Sequence, residues 1–299
     1  MRFEKVLVTG AGGLLGSHVV DALNGACNIV GLDRLPSPGA IDWHQGDITD
    51  RDCVARAATG CDAVVHVAAI PNIVSGTGDE IMRVNVGGTW NIFDAAEQAG
   101  VRRVVLCSSD SVVGFTVLPG KMVPPDYLPI DHAHPLRPTD PYALSKRLGE
   151  EIARSFTYRG LEVVVLRPVF IAHPESRIEI EARGRDPDGY VPGSAGGAQP
   201  AAGGAVWHHV DPRDVARAFR LGLELERVRF ETFFISASTT LSPKPTLERL
   251  RSWLDGSLPE VRDPSVWREN PHAPLYDLSH ARDTLGFEPI HNARAWAGL

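Results

Sequence analysis

The chain has few cysteines, no excess of positive charge and no long apolar run. It has 299 residues, 4 cysteines and a formal net charge of −7. The cysteines show neither CxxC nor zinc-ligand spacing, so we expect reduced thiols and no bound metal. The negative charge implies no broad nucleic-acid surface, and no run approaches the roughly 18 apolar residues of a membrane span. Because MRFEKVLVTG already reads as a strand and lacks an apolar leader, we expect a cytoplasmic protein.

Short apolar runs alternate with segments of helical spacing through the first half of the chain. The runs predicted as strands are Lys5–Thr9, Asn28–Asp33, Asp62–Ala68, Arg103–Ser108 and Glu162–Pro168. The segments predicted as helices are Leu14–Leu23, Ile81–Ala99 and Pro141–Arg159. Strands that alternate with helices indicate an α/β fold with a doubly wound parallel sheet. We place the end of this domain at residue 168 and assign residues 169–299 to a small lobe interleaved with the last sheet elements.

Residues 171–205 have a different composition, rich in glycine, alanine, proline, arginine and glutamate. The segment is predicted to be irregular, and irregular segments of this length are usually functional or disordered. It is either a substrate lid or a mobile surface loop. A strand over Val206–Val210, a helix over Pro212–Leu225 and a last helix within Tyr276–Pro289 are predicted to follow it.

A glycine-rich turn, VTGAGGLLG (Val8–Gly16), joins the first predicted strand to the first predicted helix. The tight turn needs one glycine, close approach of a pyrophosphate needs another, and helix–strand packing needs a third. The pyrophosphate would lie at the helix N-terminus, on free N–H groups and the helix dipole. The turn therefore predicts a dinucleotide site formed by Gly10, Gly12, Gly13, Leu14, Leu15 and Gly16.

An acidic residue, Asp33, closes the second predicted strand. Its distance along the chain from the glycine turn is close to the roughly 20 residues expected for the carboxylate that holds a ribose diol. A carboxylate there would repel the 2′-phosphate of NADP, so the predicted cofactor is NAD. Arg34 follows directly and could accept a phosphate, which leaves NADP as the alternative.

Tyr142 and Lys146 stand four residues apart in DPYALSKRLGEEIA, a spacing that puts both side chains on one face of a helix. A tyrosine pKa near 10 is too high for a base at neutral pH, but a neighbouring cation favours the phenolate. Asp140 can cap this helix and Pro141 fits its first position. Tyr142 then sits in the first turn, where the helix dipole also favours an anion. The pair therefore predicts a tyrosine base with a lysine partner.

With these motifs the chain resembles the extended short-chain dehydrogenases/reductases of the NAD-dependent epimerase/dehydratase family, over residues 3 to about 290. The resemblance implies an NAD-binding Rossmann domain over residues 1–168, a substrate-binding lobe over residues 169–299, and a homodimer. It implies further cofactor contacts from Asp47, Ile48, Val67, Ala68, Ala69, Asn85, Ser108, Lys146 and Pro168. His66 is either another cofactor contact or a packed core histidine, and Arg167 could be structural.

The resemblance also implies a serine or threonine at the end of the fifth strand that binds the reacting hydroxyl. In CSSDSVVG this role falls on Ser109, with Ser111 as the alternative. A hydroxyl there can orient the substrate oxygen while Tyr142 removes its proton and hydride leaves for the nicotinamide. The implied catalytic residues are therefore Tyr142, Lys146 and Ser109, and the implied substrate is a sugar or a sugar nucleotide.

Three positions depart from the pattern of this family's sugar-nucleotide enzymes. Val113 stands where the epimerases usually have a tyrosine. Phe170 stands where they commonly have an asparagine that touches the substrate. Ser111 stands where a 4,6-dehydratase would carry its general-base glutamate, so dehydration is disfavoured. The pocket around Tyr142 is therefore not predicted to be a standard nucleotide-sugar site.

The stretch SSDSVVGF also resembles uronate dehydrogenases, which oxidise a free sugar acid at C1 and release the reduced cofactor. Their substrate carboxylate needs a cation, which Arg177, Arg183 or Arg185 could supply unless each is a solvated loop arginine. We predict substrate contacts from Ser111, Phe170 and Arg177. The predicted function is that of an epimerase-like NAD-dependent oxidoreductase. A uronate or aldose dehydrogenase and a non-catalytic NAD-sensing protein are the alternatives.

Overall fold

The structure, a computed structural model, forms two compact units. It describes residues 2–37, 39, 41–115, 122–202 and 204–299. Unit 1 comprises Met1–Val112, Pro138–Arg167 and Ala216–Phe233, and unit 2 comprises Val113–Arg137, Pro168–Val215 and Phe234–Leu299. The chain passes from unit 1 to unit 2 after Arg167, one residue before the boundary predicted after residue 168. A single boundary also does not describe the two units. Residues 113–137 precede it but belong to unit 2, and residues 216–233 follow it but belong to unit 1.

A seven-stranded parallel sheet dominates the fold. The strands of the described chain are β1 (Lys5–Thr9), β2 (Asn28–Asp33), β3 (Asp42–Gln45), β4 (Ala63–His66), β5 (Arg103–Cys107), β6 (Tyr127–Leu128), β7 (Glu162–Pro168), β8 (Phe230–Ile235) and β9 (Glu260–Val261). The large sheet has the order β3-β2-β1-β4-β5-β7-β8, and β6 pairs with β9 in a small separate sheet. Strand order reverses beside β1, between β2 and β4, which is where sheets of this doubly wound type bind ligands.

The helices confirm most of the predicted alternation. They are α1 (Leu14–Leu23), α2 (Arg51–Ala58), α3 (Gly78–Ile81), α4 (Gly88–Gln98), α5 (Pro141–Thr157), α6 (Arg177–Arg185), α7 (Pro212–Glu224), α8 (Thr246–Trp253) and α9 (Ser265–Glu269). Strands β4 and β5 are buried at every residue, as expected for central strands covered on both faces. Helix α5 begins as predicted, with Asp140 as N-cap and Pro141 first. Across the described residues, no helix combines the length and the apolarity that crossing a membrane requires.

The long helix predicted over Ile81–Ala99 is interrupted. Helix α3 leads into a π-helical segment, Met82–Gly87, and α4 begins only at Gly88. Consecutive glycines weaken a regular α-helix, and the second must be small because a Cβ on Gly88 would lie 2.4 Å from Ile48 Cδ1. π-helical turns are frequent at functional sites. This one contains Asn85, which is buried.

The segment predicted as irregular, residues 171–205, contains a regular helix. Helix α6 follows a short 3₁₀ turn, so the prediction is wrong for this part. The buried positions of α6 include Glu179 and Arg183, so its inner face is partly charged and leaves little apolar periodicity to detect. Glu179 accepts hydrogen bonds from the N–H groups of Gly193, at 3.0 Å, and Gly197, at 2.9 Å. The helix therefore anchors the glycine-rich stretch that follows it.

Two further predictions in unit 2 are corrected. Val206–Val210 is not a strand, because Trp207 has a φ of 59°, a left-handed conformation that strand pairing excludes. Within that segment only Val210 forms a bridge, to Ile171. The last predicted helix is reduced to a π-helical turn, Ala281–Leu285, which a left-handed glycine ends.

Candidate active site

The glycine turn between β1 and α1 is shaped by close backbone contacts. Gly10 has a φ of 70°, and a Cβ there would lie 2.8 Å from the Ala68 nitrogen. A Cβ on Gly16 would lie 1.9 Å from the Gly10 carbonyl oxygen, which only glycine avoids. Gly13 is the N-cap of α1 and no side chain caps this helix, so its first N–H groups are open to an anion. The turn fits the pyrophosphate of a dinucleotide.

Asp33 lies beside this turn, at the carboxyl end of β2. Its Oδ2 accepts a hydrogen bond from the Gly12 N–H at 3.0 Å, and its Oδ1 accepts one from the Leu35 N–H at 2.9 Å. Each carboxylate oxygen has a second lone pair, so Asp33 can also accept the two hydroxyls of a ribose. The side chain of Arg34 is exposed. The fixed carboxylate suits NAD better than NADP.

His66 ties β1, β4 and α4 together. Its Nδ1 lies 2.7 Å from Thr9 Oγ1, and its Nε2 lies 3.1 Å from Thr89 Oγ1. Burial, with a smaller contribution from the charge of Lys146, lowers the pKa of His66 to about 3, so the ring is neutral. Both ring nitrogens have partners inside the protein, which favours the packed core histidine over a direct cofactor contact.

Asn85 fixes the segment after β4 to the start of α5. Its Oδ1 accepts from the Ile70 N–H at 2.8 Å, and its Nδ2 donates to the Ile70 carbonyl at 3.1 Å. The same Nδ2 lies 2.9 Å from Ser145 Oγ, which donates to the Tyr142 carbonyl at 2.7 Å. The π-helical turn therefore aims Asn85 at the first turn of the helix that carries Tyr142.

A small cavity in unit 1 brings several predicted cofactor residues together. Among the described residues that line it are Ala68, Ala69, Asn85 and Lys146. Asp47 and Ile48 follow β3 and are not among the residues that line it. Asp47 Oδ1 accepts from the Thr49 N–H at 2.9 Å, and Ile48 is buried. Val67 extends β4, and Pro168, the last residue of β7, belongs to unit 2.

Tyr142, Lys146 and Ser109 meet in unit 1 at the carboxyl end of β5. The Lys146 ammonium lies 5.8 Å from the centre of the Tyr142 ring and donates to the Cys107 carbonyl at 2.8 Å. Ser109 Oγ donates to Asp110 Oδ1 at 3.2 Å and accepts from the Ser111 N–H at 3.1 Å. The Ser109 side chain also lowers the pKa of Tyr142, and of the two candidate serines it is the one that does so.

The pKa of Tyr142 is raised, whereas the sequence predicted that it would be lowered. Burial raises it most, and the nearby Cys107, Asp110 and Asp140 raise it further, while the hydrogen bond from Ser109 opposes them. Burial also lowers the pKa of Lys146, whose ammonium is held by a carbonyl oxygen. The lowered pKa predicted for this tyrosine is therefore wrong for this structure, because burial and the neighbouring Cys107, Asp110 and Asp140 outweigh the effect of Ser109.

A buried ion pair beside this site was missed by the sequence analysis. Arg167 donates from Nε to Glu150 Oε1 at 2.8 Å and from Nη2 to Glu150 Oε2 at 2.7 Å. Ser108 Oγ donates to Glu150 Oε1 at 2.6 Å, so this predicted cofactor contact has its hydroxyl bound within the protein. Arg167 is accordingly structural. Glu150 stands four residues after Lys146 on α5, so both side chains lie on the same face of the helix. That spacing was the signal in the sequence that Glu150 faces the site.

The three predicted substrate contacts have different surroundings. Ser111 is buried, and its hydroxyl has no hydrogen-bond partner among the residues that the structure describes. Phe170 packs against an apolar cluster of unit 2 that includes Trp207. Arg177 begins α6 at the surface, where its Nε donates to Glu181 Oε1 at 2.9 Å.

The two alternative arginines of α6 also differ in their environment. Arg185 is exposed and lies 3.8 Å from Glu181. Arg183 is buried and donates to the carbonyls of Ala202, at 2.8 Å, and Gly204, at 3.1 Å. Burial lowers the pKa of Arg183 to about 10. Within the described part of the chain, no three histidine, cysteine, aspartate or glutamate side chains are grouped so that they could hold a metal ion.

Known proteins resemble this chain over much of its length. The family model described as "NAD dependent epimerase/dehydratase family" matches residues 6–231. Uronate dehydrogenase of Pseudomonas syringae pv. tomato is 33% identical over 171 residues, which cover 55% of this chain and 58% of that protein. UDP-glucose 4-epimerase of Bacillus subtilis is 31% identical over 206 residues, which cover 62% of this chain and 57% of that protein. The matches thus span little more than half the length of these relatives.

A solved structure extends the likeness to the whole chain. A short-chain dehydrogenase/reductase superfamily protein from Agrobacterium tumefaciens, solved with bound NAD, superposes with a TM-score of 0.72 at 26% identity. The superposition covers 99% of this chain and 95% of that protein. The family model alone covers well over half of the sequence. The chain therefore belongs to the NAD-dependent epimerase/dehydratase family, whose cofactor is NAD.

Proposed function

We propose that this protein is an NAD-dependent oxidoreductase that oxidises a hydroxyl of a sugar or nucleotide sugar in the manner of an epimerase. One observation carries the proposal: Tyr142 and Lys146 lie one helical turn apart on α5, with the ammonium 5.8 Å from the centre of the ring, and the Ser109 side chain lowers the pKa of the phenol. The three residues stand at the carboxyl end of β5, next to a cavity that cofactor-site residues line. Relatives that act on sugars, named uronate dehydrogenase and UDP-glucose 4-epimerase, support this substrate class.

The residues of unit 1 that fit NAD divide by the part of the cofactor they would hold. The bare N-terminus of α1 would bind the pyrophosphate, and Asp33 the adenosine ribose. Asp47 and Ile48 would flank the adenine, and Lys146 would bind the nicotinamide ribose. The other proposed contacts are Val67, Ala68, Ala69, Asn85, Ser108 and Pro168. When bound, NAD supplies the hydride acceptor.

The protein's own part in the reaction is to orient one hydroxyl and remove its proton. Ser109 Oγ would hydrogen-bond the reacting hydroxyl, since the Ser109 side chain is near enough to Tyr142 to affect the pKa of its phenol. The Tyr142 phenolate oxygen would accept the proton as hydride leaves the carbon. The Lys146 ammonium, which lies 5.8 Å from the centre of the Tyr142 ring, would stabilise that phenolate by its charge.

Asp33→Asn is expected to reduce the preference for NAD over NADP. The variant keeps a side-chain oxygen for the Gly12 N–H but removes the charge that repels a 2′-phosphate. We expect the ratio of the two cofactor affinities to fall roughly 10-fold to 100-fold, which is about 1.4 to 2.7 kcal/mol. Fluorescence titration with each cofactor measures this. Asp21→Asn, on the exposed face of α1, is the matched control and should change neither affinity. An unchanged ratio in Asp33→Asn would assign cofactor choice to other residues.

Epimerisation and net oxidation are distinguished by the fate of the reduced cofactor. An epimerase holds it and returns the hydride, whereas a dehydrogenase releases it. The test is to incubate the protein and NAD with UDP-glucose, D-glucuronate, D-galacturonate and L-arabinose in turn. Interconversion of UDP-glucose and UDP-galactose without accumulating nicotinamide absorbance supports the proposal. Accumulation of reduced nicotinamide with a free sugar or sugar acid would overturn the epimerase hypothesis and favour a dehydrogenase. The similarity to uronate dehydrogenase supports that alternative.

Substrate contacts from Ser111, Phe170 and Arg177 remain part of this proposal. Of these three residues, Ser111 has the strongest support as a substrate contact, because its buried hydroxyl has no hydrogen-bond partner among the described residues. The surface pair between Arg177 and Glu181 is worth only a few tenths of a kcal/mol, so an anionic substrate could replace it. A homodimer in the cytoplasm also remains a proposal.

A further inference from the structure

Asp140 has a carboxylate oxygen that its role in the fold does not explain. It is the N-cap of α5, and its Oδ1 accepts from the Ala143 N–H at 2.9 Å. The side chain is only 5% exposed, and its Oδ2 is buried without a hydrogen-bond partner among the described residues. Serine caps a helix equally well and would leave no charged atom buried. A buried charged oxygen without a partner carries a desolvation cost that a hydrogen-bond donor would remove.

A second unpartnered group lies in the same unit near the reacting tyrosine. The Ser111 hydroxyl is buried without a partner in the described chain, and the Ser111 N–H donates to the catalytic Ser109. The turn at Asp140 is also packed from another side, since a Cβ on Gly78 would lie 3.3 Å from Pro141 Cγ. Two unsatisfied polar atoms thus belong to the two segments that carry the proposed catalytic groups.

The charge of Asp140 acts on Tyr142, two residues further along the chain. Asp140 and Asp110 are both buried, and both raise the pKa of the Tyr142 phenol. Asp140 caps the helix whose first turn carries Tyr142, so the carboxylate and the tyrosine belong to the same turn of the chain. A carboxylate is only an acceptor, so whatever binds its free oxygen must donate a hydrogen bond. A second carboxylate or a phosphate at this position would be repelled.

We infer that Asp140 Oδ2 accepts a hydrogen bond from a substrate hydroxyl adjacent to the one that Tyr142 deprotonates. This rests on the proposed function and narrows its substrate class. The substrate carries a vicinal diol at the reacting end, and any anionic group that it has lies further away. Asp140 is thus a substrate-binding residue that selects a polyhydroxyl ligand, in addition to capping the helix.

The test combines an Asp140→Ser variant with a substrate that lacks the adjacent hydroxyl. For oxidation at C1, the substrate pair is D-galactose and 2-deoxy-D-galactose; for oxidation at C4, it is UDP-glucose and its 3-deoxy analogue. Serine keeps the helix cap, so the melting temperature should not change. We expect kcat/KM on the full sugar to fall about 10-fold to 100-fold, the range for a hydrogen bond to a charged group. On the deoxy sugar the variant and the wild type should have equal kcat/KM, because neither can then form the hydrogen bond between residue 140 and the adjacent substrate hydroxyl.

Asp50→Ser provides the matched control, because Asp50 caps α2 with an exposed side chain and should leave kcat/KM unchanged. Two outcomes overturn the inference: an Asp140→Ser variant as active as the wild type, or one that loses the same factor on both sugars. The second outcome would mean that Asp140 acts only on the phenol or holds an ordered water. If the wild type turns over no sugar at all, the proposed function itself fails and this inference fails with it.

Discussion

Tyr142→Phe is expected to lower kcat by about 10³-fold while leaving NAD affinity and stability unchanged. A positioned acid–base group contributes roughly 10²-fold to 10⁴-fold, and 10³-fold corresponds to about 4 kcal/mol of barrier. Phenylalanine keeps the ring and its packing and removes only the hydroxyl that would accept the proton. Steady-state kinetics on the sugar identified by the substrate panel measures kcat, and fluorescence titration measures NAD affinity.

The pH profile provides a second readout of the same assignment. Burial raises the pKa of Tyr142, and the neighbouring Cys107, Asp110 and Asp140 add to the shift. A base with a raised pKa is mostly protonated at neutral pH, so its active fraction grows as pH rises. We therefore expect kcat/KM of the wild type to increase with pH above neutrality. The Tyr142→Phe variant should not show this increase. Ser109→Ala removes the side chain that lowers the pKa of Tyr142, so this variant should show the rise in kcat/KM at higher pH.

Tyr158→Phe is the matched control for this substitution. Tyr158 is the C-cap of the same helix, is 73% exposed, and should tolerate the loss of its hydroxyl without kinetic effect. If the Tyr142→Phe variant turns over substrate at the wild-type rate, Tyr142 is not the catalytic base. A protein that binds NAD but turns over no sugar, with or without Tyr142, would instead match the non-catalytic NAD-sensing alternative.

The parts of the site that depend on local sequence were predicted from the chain alone. The glycine turn, the strand that ends at Asp33 and the helix that begins after Asp140 each need only a few consecutive residues of defined type. Parallel strand order then brings the turn and Asp33 together, because β1 and β2 are neighbours, and the Gly12 N–H reaches the carboxylate. The rules for doubly wound sheets supply this long-range step.

Features that depend on buried polar contacts were not predictable in the same way. The inner face of α6 is partly charged, so its sequence lacks the regular spacing of apolar residues by which a helix is recognised. The left-handed backbone of Trp207 is set by its surroundings and has no signal in the apolar run that predicted a strand. The raised pKa of Tyr142 depends on how deeply the phenol is buried and on where two carboxylates lie. Such quantities come from packing between segments distant in the chain.

Glu150→Ala is expected to be the most destabilising single change beside the active site. The side chains of Glu150 and Arg167 are 1% and 4% exposed, and they are joined by two hydrogen bonds. Removing the carboxylate takes both of these hydrogen bonds from the buried guanidinium and leaves the Ser108 hydroxyl without its acceptor. Breaking a buried pair in this way costs about 3 to 5 kcal/mol. Thermal unfolding should show a melting temperature lower by roughly 10 °C.

A double variant separates the broken charge pair from the loss of packing. Glu150→Met combined with Arg167→Met removes both charges and fills similar volume, and such replacements are often neutral or stabilising. We therefore expect it to recover most of the loss seen in Glu150→Ala. Glu151→Ala is the matched control on the same helix, because the Glu151 side chain is 47% exposed and pairs with Arg147 at the surface. It should cost less than about 1 kcal/mol. If the double variant is as unstable as Glu150→Ala, the loss arises from packing or from Ser108, and the broken charge pair is not its cause.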